Sequence, residues 1–232
     1  MDQFFNTSVI ADNFTYFMIG RFPNGPLGGL GLTLYLAVIS CVLSFFGGLI
    51  LGLLSISRSP VVRYPAIAFI NLVRGMPLLM VIFWMYFLMP ALFGKVAESQ
   101  TVIMGLSLFT SAYMSRIVVA GIEGIPKGQT EAAISTGLKP WQAMLYIVLP
   151  QGLRNMIPSF VNQFVSLIKD TSLAFIVGVS ELTHVGTQIN NRTMAYPTEI
   201  FVFIAVVYFI ICYAFTTLSR WLEQRLAWRK AI

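Results

Sequence analysis

The chain has 232 residues, of which 57% are hydrophobic and only 10% are charged, and its mean hydropathy is +0.78. A soluble globular protein of this length cannot bury so much apolar surface, so the composition predicts an integral membrane protein instead. The net charge of +6 comes without a basic stripe interleaved with aromatic residues. It therefore argues against a nucleic acid partner and favours a role in membrane orientation and lipid contact.

The N-terminal segment, residues 1–25, carries aromatic side chains among polar ones. This pattern predicts a segment that lies at the membrane surface rather than crossing it. The segment lacks the basic region and the small-residue cleavage pattern of a secretory signal, so we expect it to remain on the mature chain.

Five transmembrane helices are predicted after this segment, because a bilayer core requires about 20 consecutive apolar residues per helix. In the first, Gly48 and Gly52 have the small-xxx-small spacing that lets helix backbones approach closely; the alternative is that a membrane helix merely tolerates them. The fourth is interrupted by the charged pair Lys169-Asp170. The predicted spans are 29–56, 65–93, 99–122, 155–180 and 198–219.

The basic residues predict how these spans are oriented. If the loops 57–64 and 123–154 and the tail 220–232 are cytoplasmic, nine Lys and Arg residues lie inside and three lie outside. The positive-inside rule then places the N-terminus outside and the C-terminus in the cytoplasm. The long loop between the third and fourth spans is therefore predicted to be cytoplasmic.

That loop contains a compact motif, EAAISTGLKPWQAMLYIVLP, at residues 131–150. Two alanines beside Glu131 give a helix turn with little side-chain bulk, and Gly137 lets the chain turn without a Cβ clash. A thin helix of this kind can enter a cleft on another protein. From Trp141 to Val148, apolar residues recur at helical spacing, so one face can lie against a neighbour or the bilayer surface. The alternative is an ordinary amphipathic loop helix.

Three ionisable residues, Arg116, Lys169 and Asp170, fall at membrane depth. A charge at the centre of a membrane helix costs roughly 3 kcal/mol on insertion scales, so it normally faces a pore, a bundle interior or a partner charge. All three are therefore candidates for a transport path. The alternatives are snorkelling of Arg116 to the membrane surface, and mutual pairing or snorkelling of Lys169 and Asp170 at a helix break.

Motifs for enzymatic chemistry are missing from the sequence. There is no phosphate-binding Gly-x4-Gly-Lys-Ser/Thr loop, so the chain is not expected to hydrolyse ATP. There is no Ser/His/acid arrangement either, and the single His184 has no companion metal ligands. Cys41 and Cys212 fall in apolar runs and are expected to be buried. We therefore expect neither enzymatic activity nor a cofactor in this chain.

Four sequence blocks resemble the permeases of polar amino acid ABC importers, most of all the glutamate/aspartate uptake permeases. The resemblance extends over residues 28–222, and the blocks are LVRGMPLL at 72–79, SAYMSR at 111–116, IPKGQTEAA at 125–133, and LPQ through LIKDTSL at 149–173. It implies an all-α, importer-type ABC permease fold in the bacterial inner membrane. It also implies a permease domain at 26–222, a cytoplasmic coupling loop at 123–150 and a basic cytoplasmic tail at 223–232.

The resemblance further implies partners and residue roles. The implied partners are two ATPase subunits that carry ATP and Mg, a second permease that is similar or identical, a periplasmic amino acid-binding protein and membrane lipid. The residues expected to couple to the ATPase are Glu131, Ala132, Ala133, Gly137, Lys139, Trp141, Leu149 and Pro150. The residues expected on the substrate path are Arg74, Arg116, Lys169, Asp170, Thr171 and Ser172.

One departure from the family pattern predicts the cargo. Many members of the family carry an acid at the position of Arg116 and a basic residue at that of Val119. A guanidinium there reverses the local field and offers a bidentate partner to a carboxylate. We therefore predict glutamate or aspartate, with Arg116 toward a carboxylate and Asp170 toward the α-amino group.

Alternatives remain for both the charge swap and the function. The swap at Arg116 can instead concern pairing with the second permease. The same machinery can serve another polar amino acid, such as glutamine, arginine or histidine. An ATP-independent secondary transporter is a further alternative, but it leaves the motif at 131–150 unexplained.

Overall fold

The computed structural model describes residues 7–228, and the side chains of residues 7–221. This part of the chain forms two compact units. The boundaries between the units fall within several long helices, so one helix can contribute residues to both. The first unit comprises the described residues of Met1–Val42, Pro77–Ser107 and Phe164–Ala214. The second comprises the described residues of Leu43–Met76, Leu108–Gln163 and Phe215–Ile232.

Regular structure in the described chain is helical. The helices are α1 Ser8–Asp12, α2 Phe14–Ile19, α3 Gly29–Ser55, α4 Pro60–Arg74, α5 Leu78–Phe93, α6 Glu98–Glu123, α7 Lys127–Ser135, α8 Pro140–Ala143, α9 Leu149–Asp170, α10 Leu182–Thr193 and α11 Pro197–Trp228. A π turn, Met144–Val148, joins α8 to α9, and a 3₁₀ segment, Thr171–Val177, follows α9.

The described residues contain 4 helical segments that are long and apolar enough to cross a membrane, and up to 5 if α4 and α5 form one broken span. The four segments are Gly29–Ser55, Glu98–Glu123, Pro140–Val177 and Pro197–Trp221. Most of the last segment exposes apolar side chains, which indicates a surface that lipid or another membrane protein covers.

The second predicted span, 65–93, is not one continuous helix. Helix α4 begins earlier, at Pro60, and ends at Arg74, whereas α5 begins only at Leu78. Pro77 explains the break, because it has no N–H for a helical hydrogen bond and its ring disfavours the helical conformation of the residue before it. The predicted span thus corresponds to two helices, which form one broken span if the pair crosses the membrane together.

The fourth predicted span, 155–180, differs from the structure at both ends. Helix α9 already begins at Leu149, and the chain after Asp170 continues as the tighter 3₁₀ segment, which ends at Val177. The predicted interruption at Lys169-Asp170 coincides with the end of the α-helix.

The π turn before α9 follows from Pro150. A proline at this position cannot donate a backbone hydrogen bond, and in an α-helix its ring would clash with the carbonyl group of Tyr146, four residues earlier. The chain widens here instead, and the Leu149 N–H donates to the Met144 carbonyl, five residues earlier. The π turn thereby lets one helical segment continue from α8 into α9.

Two apolar clusters stabilise the first unit. One cluster is built from α3, α5, α6, α9 and the 3₁₀ segment, and its fully buried members are Leu36, Ile82, Val102, Leu106, Leu167 and Ala174. In the other, Phe17 of α2 packs with Leu182 and Ile189 of α10 and with Ile200 of α11. Helices α1 and α2 are thus packed onto this unit. Residues 1–6 of the predicted surface segment and 229–232 of the predicted tail lie outside the described residues.

In the second unit, α3 and α6 approach closely along the small-residue stripe. A Cβ atom added at Gly48 would lie 2.3 Å from the Met114 Cβ, and one at Gly52 would lie 2.8 Å from a Val118 methyl carbon. Real Cβ atoms do not approach so closely, so larger side chains would force the two helices apart. The prediction of close backbone approach is therefore confirmed.

Replacing Gly48 by leucine is expected to destabilise the second unit, because overpacking costs about 1–3 kcal/mol. Thermal unfolding of the purified protein in detergent checks this as a lower midpoint. Ile50→Leu is the matched control, since Ile50 lies on the same helix and is exposed. Equal midpoints for the two variants would contradict the packing argument.

Candidate functional site

Helix α7 presents a thin, charged face in the second unit. Ala133 is buried against the protein, whereas Glu131, Ala132 and Ile134 are exposed. The exposed face thus carries one carboxylate between side chains of small and medium size. Such a helix can insert into a cleft with few steric obstacles.

Gly137 ends α7 in a defined way. Its φ is +90°, in the region that favours glycine, and a Cβ added there would meet nothing within 4 Å. The Gly137 N–H donates to the Ile134 carbonyl at 2.9 Å, and the Leu138 N–H donates to the Ala133 carbonyl at 3.2 Å. These two bonds form a Schellman motif, so the glycine is required for the backbone conformation rather than for lack of space.

The segment after Gly137 anchors α7 to the start of α9. The Lys139 N–H donates to the Gln142 side-chain oxygen at 2.8 Å, which caps α8. The Gln151 side-chain amide donates to the Ile147 carbonyl at 2.8 Å and to the Gln129 side-chain oxygen at 3.3 Å. The position of α7 is therefore tied to the first turn of a long helix.

All eight predicted coupling residues lie in this one segment of the second unit, and burial divides them. Two are buried and position the segment, namely Ala133 and Leu149. Six are exposed and available to a partner, namely Glu131, Ala132, Gly137, Lys139, Trp141 and Pro150.

A cavity of about 430 Å³ opens beside Arg116 in the second unit. Its polar groups come from Arg116 on α6 and from Asn155 and Ser159, which lie four residues apart on one face of α9. The remaining lining residues are Ile117, Ala120, Gly121, Gly124 and Met156. Such a cavity can accept a small polar molecule, and its lining holds one cation and no carboxylate.

The other predicted path residues do not line this cavity. Arg74 places its guanidinium carbon 5.1 Å from the centre of the Tyr113 ring, a cation–π contact that favours a structural role. Thr171 is buried, and its hydroxyl donates to the Ile168 carbonyl at 2.6 Å. Lys169 and Asp170 end α9 in the first unit, and Ser172 follows them in the 3₁₀ segment.

Sequence reasoning missed Glu181, a fully buried acid in the first unit. Its carboxylate caps α10 by accepting from the Thr183 N–H at 2.9 Å and the His184 N–H at 2.8 Å. The Tyr208 hydroxyl donates to the same carboxylate at 3.0 Å. The sequence could have shown that Glu181 stands at a helix-capping position. It could not have shown that Glu181 is buried against Tyr208, because that contact depends on tertiary structure.

Burial raises the pKa of Glu181 to about 7, although the hydrogen bonds from Thr183 and His184 lower it. The folded protein thus binds this proton more tightly than the unfolded chain. The resulting stabilisation is complete below the ordinary pKa of 4.5 and is lost as the pH rises through about 7. We expect the free energy of unfolding of the wild-type protein to decrease from pH 5 to pH 8 by an amount on the order of 3 kcal/mol. The thermal unfolding midpoint should therefore be lower at pH 8 than at pH 5.

Glu181→Gln tests this expectation, because it removes the titration and keeps one acceptor oxygen. Thermal unfolding across the same pH range should show a flatter profile for this variant. Glu98→Gln is the control, since Glu98 is exposed and its loss should leave the fall in place. A fall of equal size in Glu181→Gln would contradict the assignment.

Comparison with known proteins identifies relatives over most of the chain. The model of the family described as "Binding-protein-dependent transport system inner membrane component" matches residues 44–228. The probable glutamine ABC transporter permease protein of Bacillus subtilis (strain 168) is 41% identical over 199 residues, covering 85% of this chain and 91% of the relative. The glutamate/aspartate import permease protein of Escherichia coli O6:H1 is 32% identical over 209 residues, covering 87% and 93%.

A solved structure has a similar fold. The crystal structure of an amino acid ABC transporter with histidines aligns with a TM-score of 0.77 and 30% identity. The alignment covers 85% of this chain and 92% of that one. The similarity thus extends through both units described above.

Proposed function

Since this chain belongs to the family of binding-protein-dependent transport system inner membrane components, we propose that it is the permease through which an ATP-driven importer takes up glutamate or aspartate. Membership makes it a permease component of an amino acid ABC importer in the bacterial inner membrane. Its relatives are permeases rather than ATPases. The choice of glutamate or aspartate as the cargo goes beyond family membership and is the part that we propose.

The observation that supports an acidic cargo is the charge of the cavity beside Arg116. A guanidinium offers paired N–H donors that match a carboxylate, and no acid in the lining neutralises it. Asn155 and Ser159 add neutral hydrogen-bonding groups on the facing helix. An amino acid with two carboxylates and one ammonium group fits this net positive lining better than a cationic one does.

Glutamine is the second candidate, because the relative that is 41% identical is described as a glutamine permease. Glutamine has almost the shape of glutamate and lacks the charge of its side chain. Arg116 would then bind only the α-carboxylate. Competition between the two amino acids for uptake distinguishes these candidates, and the corresponding experiment is described in the Discussion.

We propose that the exposed face of α7 is the surface that docks to the ATPase subunits. We expect two ATPase subunits, which carry ATP and Mg, and a second permease, similar or identical, as a companion of this chain. Binding-protein dependence implies a periplasmic protein that delivers the amino acid. No cofactor is proposed for this chain.

In the proposed cycle, ATP binding closes the ATPase subunits, and their clefts carry the helix bearing Glu131 with them. Because Gln151 ties α7 to α9, movement of α7 is passed to a long helix that lines the cavity. The paired permeases then alternate between inward- and outward-facing states, and ATP biases that equilibrium by binding one state more tightly. Asp170 lies at the C-terminal end of α9 and outside the cavity lining, so the proposed cycle assigns the ammonium group of the cargo to Asn155 and Ser159 rather than to Asp170.

A further inference from the structure

A second and larger cavity lies elsewhere in the second unit, as an open groove of about 750 Å³. One side is formed by the end of α3 and the residues just after it, and the other by α8 and the π turn. The lining residues are Leu53, Leu54, Ile56, Ser57, Arg58, Thr130, Pro140, Trp141, Met144, Leu145, Val148 and Leu149. This volume is within the range of ligand sites, about 300–1,000 Å³.

The groove combines an apolar surface with a single charge. Leu54, Leu145 and Trp141 remain substantially exposed, the last at 57%. Arg58 is the one charged residue of the lining, and it is exposed at the edge of α3. An occupant therefore needs a long apolar part and an anionic group at one end.

The groove lies at the end of a membrane span. Helix α3 is a candidate span that ends at Ser55, and Arg58 follows three residues later. Lipid head groups meet acyl chains at this level, and tryptophan side chains such as Trp141 are enriched there. Apolar surface at this position is in contact with lipid unless a protein covers it.

We propose that this groove binds one anionic phospholipid. An acyl chain lies along the leucine, methionine and valine side chains, and the phosphate group pairs with the Arg58 guanidinium. An amino acid cargo does not fit this surface, because it has too little apolar area to cover it. Two of the predicted coupling residues, Trp141 and Leu149, line the groove and would contact the lipid. Glu131 does not line it and remains available to the ATPase while the lipid is bound.

This site gives the lipid a role in coupling. Trp141 and Met144 belong to α8 and the π turn, which anchor α7 to α9, so a bound lipid stabilises the base of the coupling segment. Lipid binding rests on the membrane location of the chain and not on the identity of its cargo, whereas the role in coupling rests on the proposed function. Lipid binding at this groove would still be expected if the transported amino acid were not glutamate or aspartate.

Fluorescence of Trp141 in the assembled transporter tests the proposal. Replacing Trp84, Trp221 and Trp228 by phenylalanine leaves Trp141 as the reporter in this chain, and tryptophans of the partner subunits are replaced likewise. Proteoliposomes then contain equal mole fractions of phosphatidylglycerol or phosphatidylcholine, brominated near the head-group end of the acyl chains. We expect phosphatidylglycerol to quench Trp141 at least twofold more strongly.

Two charge variants separate the site from general surface charge. Arg58→Gln should bring the quenching by the two lipids to a ratio of about one. Arg63→Gln removes the same charge from a half-buried residue that does not line the groove, and it should preserve the difference. Inorganic phosphate added to the phosphatidylcholine vesicles should not change the quenching.

Three results would overturn the proposal. Equal quenching by both lipids in the parent protein would mean that the surface has no head-group selectivity. Absence of quenching in the assembled transporter would mean that an ATPase or a second permease covers the groove. Equal effects of Arg58→Gln and Arg63→Gln would mean that surface charge, rather than this site, attracts the lipid.

Discussion

Glu131→Lys is expected to lower ATP-driven uptake at least tenfold while leaving the folded protein in the membrane. Glu131 is exposed on α7, so the substitution removes no buried contact of this chain. At a docked interface, however, loss of one partner of a buried charge pair costs about 2–5 kcal/mol. A cost of that size exceeds a tenfold change in affinity. Uptake and co-purification of the ATPase subunit measure the two consequences.

Glu123→Lys is the matched control for this charge reversal. Glu123 is an exposed acid at the end of α6 and lies outside α7. Its reversal should leave uptake within about twofold of wild type. If Glu131→Lys retained both ATPase association and substrate-stimulated ATP turnover, the coupling role of α7 would be wrong.

Gly137 contributes to the same prediction through backbone conformation. Gly137→Val places a β-branched residue at a φ of +90°, which costs about 1–2 kcal/mol or more and loosens the end of α7. Gly128→Ala is the comparison, because it too adds a side chain in open space but carries no such φ. Uptake and unfolding midpoints should fall for Gly137→Val and stay nearly constant for Gly128→Ala.

Arg116→Glu is expected to change which amino acid the transporter prefers. A hydrogen bond to a charged group contributes about 1.5–3 kcal/mol, and charge reversal adds repulsion. The ratio of glutamate to glutamine uptake should therefore fall at least tenfold, with glutamine uptake less affected. Competition assays with both amino acids measure this ratio directly.

Arg154→Glu is the control for this second prediction. Arg154 is an exposed residue of α9 that does not line the cavity, so its reversal changes the surface charge alone. The uptake ratio should then stay near the wild-type value. An unchanged preference for glutamate in Arg116→Glu would remove Arg116 from the substrate path.

Local features of the site could be predicted from the sequence. The Glu131 motif and the glycine at 137 identified a short helix and its turn, because helix propensity and positive φ are properties of a few neighbouring residues. The Lys169-Asp170 pair likewise identified the end of an α-helix. Gly48 and Gly52 marked a close helix approach, because their spacing places both on one face.

Features that depend on tertiary structure were missed or misplaced. Asn155 and Ser159 look like polar positions of an amphipathic helix until α9 is packed beside α6. Glu181 looks like an ordinary cap until Tyr208 buries it. The break at Pro77 was visible in sequence, yet a proline within an apolar run can also sit in a kinked membrane helix, so hydropathy alone favoured one span.

Uptake of radiolabelled glutamate into proteoliposomes tests the central claim most directly, using the transporter assembled with its ATPase and binding protein. The proposed function predicts accumulation that requires both ATP and the binding protein. Aspartate should inhibit this accumulation more strongly than glutamine does, and Glu131→Lys should lower it at least tenfold. Accumulation without ATP, or glutamine uptake that excess glutamate leaves unchanged, would contradict it.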